Sequence, residues 1–247
     1  MRCAGITNYT IHVPRKSSAY RISWDDGRDL PVKVKRHPRA RNMSIRVDPR
    51  GDHLNLVLPR RTSLAEGFAF AEREKGWVAK CLDDLRPPLP FGEGAVVPYL
   101  GEPHVIQHLP DARRGVWLEE GKICVSGNDE HLPRRVTDFL KRLARQAITS
   151  AVRKKAATLA RPVGRITLRD PRSRWGSCSV DGDLSFSWRL ILAPDYVLDY
   201  VVAHEVAHLA EYNHGPRFWA LAASISNRME EAKVWLKRNG RDLWRYG

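Results

Sequence analysis

The stretch Tyr200-Val-Val-Ala-His-Glu-Val-Ala-His208 decides the fold of the second half of this 247-residue chain. Within it, His204 and His208 lie four positions apart and Glu205 directly follows the first histidine. Residues four apart share one face of an α-helix, so both imidazoles can bind one metal ion beside a carboxylate. The preceding apolar residues recur at helical spacing, and Pro194 suits a first helical turn. The sequence therefore predicts a helix that carries a zinc-binding H-E-x-x-H motif.

A third ligand is expected, because zinc in a hydrolytic site takes three protein ligands and keeps an open position for water. His214 is the best candidate. On an uninterrupted helix it would lie about 9 Å beyond His208 along the axis, too far to reach the same ion. We therefore expect the helix to end just after Leu209, with Gly215-Pro216 supplying residues typical of a turn.

Some alternatives to this ligand set stay open. Glu230 or Glu231 could supply the third ligand from a following helix, although His214 is favoured. The histidine spacing equals that of the metzincin pattern, but Glu211 stands where that pattern has glycine, which argues against a true metzincin. The two helical histidines could also be partly buried residues with no metal between them, since short motifs have low specificity.

The expected cofactor, Zn²⁺, assigns the chemical roles. Three neutral imidazoles leave the double charge of the ion intact, and that charge makes water a nucleophile at neutral pH. Glu205, next to the first ligand, can take the proton of this water and pass it to a leaving amine. We therefore predict that Glu205 is the catalytic base and that His204, His208 and His214 are the metal ligands.

A second cluster, Arg174-Trp-Gly-Ser-Cys178, lies upstream and is followed by the alternating run Leu184–Leu190. The run predicts a half-buried hairpin strand, with its apolar residues on one side and Ser185, Ser187 and Arg189 on the other.

Together with the H-E-x-x-H helix and Phe218-Trp219, these elements resemble the YgjP-like metallopeptidase domain, a relative of the SprT and Wss1-type minimal zincins. The resemblance is most specific from Arg172 to Trp219. It implies a zinc-dependent peptidase fold in which the three histidines bind the metal and Glu205 is catalytic. Where the family more often shows asparagine, this chain has Phe186-Ser187-Trp188.

A strand ahead of the zinc-binding helix could offer its edge to an extended peptide, with backbone hydrogen bonds supplying affinity. Arg174, Trp175 and Ser177 are the candidate substrate-binding residues, with Arg174 or Ser177 polarising a carbonyl group. The alternative is that Trp175 belongs to the core and that Gly176-Ser177 is only a turn.

The first half is β-rich, with short runs that predict antiparallel strands between residues 20 and 58. A helix is expected from Thr62-Ser63 to Leu85, and Pro133 lies early in a long helix that reaches about Ala160. We predict an α+β protein in two packed subdomains. Residues 1–130 form the β-rich one with one helix, and residues 131–247 form a zincin-like one with a small antiparallel sheet.

The chain carries 42 basic and 28 acidic residues, a formal net charge of +14. Such a surplus attracts polyanions and says little about fold. Basic residues concentrate between Lys33 and Arg46 and again between Arg134 and Lys155. They form either solvated faces or non-specific contacts with nucleic acid phosphates. The first is favoured because no nucleic-acid-binding motif accompanies them.

The four cysteines show no C-x-x-C pair, and no apolar run has the length of a signal peptide or a membrane span. We therefore expect reduced thiols and a cytoplasmic protein. Three function classes remain: a metallopeptidase acting on peptides or proteins, a zinc-dependent phosphohydrolase acting on nucleotides or similar anions, and a non-catalytic polyanion-binding module with structural zinc. The metallopeptidase is the leading class. The presence of Glu205 favours the two catalytic classes over the third, because a structural zinc site has no need of it.

Overall fold

The computed structural model describes residues 20–48 and 51–247. The chain forms two compact units, Met1–Leu85 and Arg86–Gly247. The division predicted near residue 130 falls inside the second unit, between a strand and a helix whose side chains enter the same core. The protein is α+β, with three small mixed sheets and six α-helices among the described residues.

The first unit has a four-stranded sheet of order β1-β2-β4-β3 and two helices. Leu54, Leu56 and Leu58 all point from β4 into the core, as expected of a strand with one buried face. The sheet is mixed, which corrects the antiparallel prediction, because β2 and β4 pair in parallel and β3 joins β4 as a hairpin. The elements are β1 Arg21–Ser23, β2 Asp29–Arg36, β3 Ser44–Val47, β4 Leu54–Leu58, α1 Leu64–Arg73 and α2 Lys75–Asp83.

The helix predicted from Thr62-Ser63 to Leu85 is two helices separated at Glu74. Its predicted start is confirmed. The Ser63 hydroxyl accepts a hydrogen bond from the Glu66 amide, and the Glu66 carboxylate accepts one from the Ser63 amide. This capping box satisfies two backbone donors that the first turn of a helix leaves unpaired.

The second unit begins with another four-stranded mixed sheet, of order β5-β6-β8-β7, and continues with a long helix. Along that helix Leu140, Ala144, Ile148, Val152 and Ala156 recur every four residues and form its buried side. The predicted extent of the helix is confirmed within two residues. The elements are β5 Val96–Tyr99, β6 Glu102–Leu109, β7 Val116–Glu119, β8 Lys122–Ser126 and α3 Leu132–Thr158.

A three-stranded sheet and three further helices complete this unit. The sheet order is β10-β11-β9, with β10 antiparallel to β11 and β11 parallel to β9, so the predicted antiparallel sheet is in fact mixed. The elements are β9 Ile166–Arg169, β10 Gly176–Cys178, β11 Leu184–Ser187, α4 Asp195–Ala207, α5 Pro216–Ser224 and α6 Met229–Asn239, with a 3-10 helix at Trp188–Leu192 and another at Gly240–Arg245.

The predicted strand Leu184–Leu190 ends at Ser187, where the 3-10 helix begins. The prediction that Ser187 and Arg189 face solvent was wrong, since both are buried. Arg189 is only 2% exposed because Asp170 binds its guanidinium through two nitrogens. The same group donates to the backbone oxygens of Leu243 and Tyr246. A buried charge is tolerated when it is paired in this way.

The start of α4 is held by the tight turn between β5 and β6. Leu100 and Gly101 both have positive φ angles, and the Leu100 amide donates to the Ile191 carbonyl oxygen. A methyl group added at Gly101 would lie 2.9 Å from Cα of Pro194, so only glycine fits here. The turn therefore fixes the position from which α4 starts.

Cys81, Cys124 and Cys178 are free thiols, in agreement with the prediction, and Cys3 lies outside the described residues. Over residues 20–48 and 51–247, no helix combines the length and the apolar composition needed to cross a bilayer.

Candidate active site

The H-E-x-x-H residues lie at the C-terminal end of α4. His204 and Glu205 are in its last turn, and His208 is the residue that caps it. α4 is buried on nearly every side, and Glu205 is the one buried acidic residue along it. The helix ends two residues earlier than predicted, and Leu209, Ala210 and Glu211 continue as a turn held by backbone hydrogen bonds.

This turn brings His214 back to the helix, as the sequence predicted. Nε2 of His214 lies 3.0 Å from Nε2 of His204. The ligand nitrogens of His204, His208 and His214 all lie within 4.8 Å of one another. Two zinc–nitrogen bonds of about 2.0–2.1 Å at a tetrahedral angle place the nitrogens roughly 3.3 Å apart. The three imidazoles therefore fit a single metal ion.

The tautomer of His208 suits the same purpose. Nδ1 of His208 lies 3.1 Å from the carbonyl oxygen of Glu211, which can only accept a hydrogen bond. Nδ1 therefore carries the proton and Nε2 keeps a free lone pair, the usual arrangement of a metal-binding histidine. Nδ1 of His204 is buried and has no hydrogen-bond partner within the described residues.

Phe218 is the common support of the three rings. It is fully buried at the start of α5, and its ring centroid lies 4.9, 4.5 and 4.5 Å from those of His204, His208 and His214. Pro216 at the start of α5 was a visible helix signal, but the spacing alone did not indicate that Phe218 would contact all three histidines. Sequence reasoning thus missed this residue as part of the site.

Burial keeps His204 and His208 neutral. It lowers the pKa of His204 to about 4, with smaller contributions from His208, His214 and Lys233. Burial also lowers the pKa of His208. Neutral imidazoles have the lone pairs that a metal requires, so at neutral pH His204 and His208 can bind a cation without first losing protons.

Glu205 packs against the backbone of β10. A methyl group added at Gly176 would lie 2.5 Å from Cγ and 2.6 Å from Oε1 of Glu205. The side chain is 7% exposed, and this burial raises the pKa of Glu205 to about 7, while the positive charge of Arg174 acts in the opposite direction. A carboxyl group with such a pKa can both accept and donate a proton near neutral pH.

The three predicted substrate-binding residues lie in different surroundings. Arg174 is exposed and close enough to Glu205 to influence its charge. Ser177 follows Gly176 on β10, and successive side chains of a strand alternate, so its hydroxyl points to the face opposite Glu205. Trp175 stacks on Trp244 with centroids 4.5 Å apart and packs against the core.

The two alternative ligands have other partners. Glu230 lies 2.7 Å from Nζ of Lys233, and Glu231 lies 2.6 Å from a guanidinium nitrogen of Arg228. Lys233 also lies 4.2 Å from the centroid of the Trp219 ring. The candidate metal-binding group that contains His204 and His208 is therefore completed by His214 and includes no glutamate.

Comparison with known proteins gives two similar solved structures and one family match. The metallopeptidase zymogen of Methanocaldococcus jannaschii jannalysin matches 37% of this chain and 94% of its own, at 18% identity and a TM-score of 0.33. The metallopeptidase zymogen of Pyrococcus abyssi abylysin matches 41% of this chain and 93% of its own, at 18% identity and a TM-score of 0.29. No protein of curated function gives a significant match. The profile of the YgjP-like metallopeptidase domain matches residues 41–239, well over half of the sequence. The chain belongs to the YgjP-like metallopeptidase family.

Proposed function

We propose that this protein is a zinc-dependent metallopeptidase in which His204, His208 and His214 hold the metal and Glu205 is the general base. The observation that carries the proposal is the convergence of three imidazole nitrogens within 4.8 Å, together with a buried carboxyl group on the residue that follows His204 in the chain. When bound, zinc supplies a Lewis acid that polarises a carbonyl group and makes water nucleophilic at neutral pH.

Glu205 moves the proton in this mechanism. A metal ion bound by the three histidines would favour the carboxylate form of Glu205 and so would counteract the pKa rise that burial causes. The carboxylate accepts a proton from the attacking water and donates it to the nitrogen of the departing amine. β10 packs against Glu205 at Gly176, and this contact contributes to the burial of the carboxyl group.

The substrate side of the proposal concerns β10, which pairs with β11 on one side only and forms an edge of its sheet. An extended peptide can add to such an edge through backbone hydrogen bonds. Gly176 on this strand contacts Glu205, so a peptide bound there passes close to the proposed base. Arg174 supplies positive charge on the same side as Glu205.

Glu205→Gln is the decisive variant. We expect it to retain one zinc per chain by mass spectrometry of the metal and to lose about 10²- to 10⁴-fold in turnover, as is usual when a general base is removed. Cleavage of a mixed peptide library should be followed by mass spectrometry. Glu102→Gln, which changes an exposed glutamate, is the matched control and should keep full activity.

The same preparations separate the other function classes. Release of phosphate or pyrophosphate from nucleotides that depends on Glu205 and zinc, with no peptide cleavage, would identify a phosphohydrolase instead. A Glu205→Gln protein with undiminished peptide cleavage would contradict the assigned base. Zinc binding with no turnover of either substrate class would point to a structural metal.

A further inference from the structure

A groove of about 770 Å³ runs along α3 and shares no residue with the histidine cluster. Its helical wall carries two arginines and three uncharged polar side chains, and its other wall is the segment that leads into β9. The lining residues are Arg145, Gln146, Thr149, Ser150, Arg153, Val163, Gly164 and Ile166.

The groove lies in the most one-sided charge region of the chain. Between residues 139 and 169 there are nine lysines and arginines and no aspartate or glutamate. Among the described residues, the ion pairs of α3 involve Arg134 and Lys155, and neither Arg145 nor Arg153 takes part in one. Both groove arginines are exposed. Their charges therefore remain available to an external anion.

The wall opposite α3 packs closely against Asp183. Asp183 accepts a hydrogen bond from the Arg165 amide at 2.7 Å, and a methyl group added at Gly164 would lie 2.5 Å from the same carboxylate oxygen. Glycine is therefore required for the close approach of this segment to Asp183. The segment also carries exposed Arg161 and Arg165, which extend the positive charge beyond the groove.

We propose that this groove binds the phosphate backbone of duplex nucleic acid without reading its sequence. Arginine together with serine, threonine and glutamine side chains is the usual set of protein contacts to phosphate oxygens. No aromatic side chain lines the groove, so the stacking surface that single strands use is missing from it. The net charge of +14 draws a polyanion from a distance, and the two unpaired arginines hold it.

The 247-residue chain should be titrated into a fluorescently labelled 20-base-pair DNA duplex at 50 to 200 mM salt, with binding followed by anisotropy. Arg145→Gln/Arg153→Gln removes two phosphate contacts and should lower the slope of log K against log salt by about 1.8. If wild type and variant bind equally at 1 M salt, the variant binds roughly 60-fold more weakly at 0.1 M.

Arg60→Gln/Arg61→Gln is the matched control, because it removes the same charge from exposed arginines outside the groove. It should change the slope by less than about 0.5. Support also requires that two duplexes of unrelated sequence bind with similar affinity. An equal loss of affinity in the control would show that the effect depends only on net charge and would overturn the groove as the binding site. Stronger binding of single-stranded DNA, or equal competition by polyglutamate, would overturn duplex nucleic acid as its ligand.

Discussion

Replacing Gly176 by alanine tests the contact on which the proposed chemistry depends. The added methyl group would lie 2.5 Å from Cγ, 2.6 Å from Oε1 and 2.8 Å from Cδ of Glu205. Carbon atoms in favourable contact lie about 3.5–4.0 Å apart, so Glu205 or β10 must shift by roughly 1 Å. Both are confined, because Glu205 is buried and β10 is paired with β11.

The expected cost in folding free energy is about 1–3 kcal/mol, the usual range for an overpacked core. For a protein of this size, each kcal/mol lowers the melting temperature by about 2–4 °C, so a fall of roughly 2–12 °C is expected. It should be measured by circular dichroism on metal-free protein, so that zinc does not mask the change. Gly92→Ala is the control, since a methyl group there meets no atom within 4 Å.

Turnover should fall by about 10²-fold or more, because a base displaced by 1 Å is poorly aligned for proton transfer. Zinc content should stay at the level of the unmodified protein, since the three atoms nearest to the methyl group all belong to Glu205. Gly176→Ala combined with Glu205→Asp should recover stability but not activity, because aspartate is one methylene shorter. A Gly176→Ala protein with normal stability and turnover would refute the packing of Glu205 on β10.

Three further predictions address the metal, the pH dependence and the buried arginine. His214→Ala should lose most of its zinc without lowering the stability of metal-free protein, since His214 is exposed, whereas His131→Ala, another exposed histidine, should keep its zinc. In chelated protein, the difference in unfolding free energy between wild type and Glu205→Gln should change with pH. Because the pKa of Glu205 is raised to about 7, wild type should lose about 3 kcal/mol relative to the variant as pH rises from 4.5 to 7. A flat difference would contradict the burial of a carboxyl group there. Arg189→Met should destabilise the protein by about 2–4 kcal/mol in urea unfolding, because the Leu243 and Tyr246 carbonyl oxygens lose their hydrogen-bond donor. A loss below about 0.5 kcal/mol would contradict the stabilising role of these hydrogen bonds.

Local sequence was sufficient to predict the geometry of the histidines. The four-residue spacing of His204 and His208 fixes their relation on a helix. His214 can approach them only if the helix ends soon after His208 and the chain turns back. The structure agrees, with the turn after α4 placing two Nε2 atoms 3.0 Å apart. These two relations span four and ten residues, so both depend on local backbone geometry.

Relations that depend on distant segments were not accessible in the same way. Alternation predicted that Arg189 faces solvent, because a pattern of polar and apolar residues cannot reveal a partner such as Asp170 or carbonyl groups more than 50 residues away. The parallel pairing of β2 with β4 likewise depends on the position of β3. This strand lies between them in sequence but pairs with the far side of β4 in the sheet. The sequence around Gly176 is equally consistent with a turn, because it does not reveal the contact between β10 and Glu205 of α4.

The site therefore has two parts with separate structural origins. The histidines come from one continuous segment, 204–214, supported by Phe218, so changes elsewhere in the chain can leave metal binding intact. The environment of Glu205 comes from β10, nearly 30 residues upstream, and burial there sets its pKa. Loss of turnover with full zinc content is consequently the result expected from a defect in β10, because such a defect alters the proposed base and leaves the proposed ligands in place. The reverse result, in which zinc is lost and Glu205 stays buried, is expected from a defect in the turn between α4 and α5.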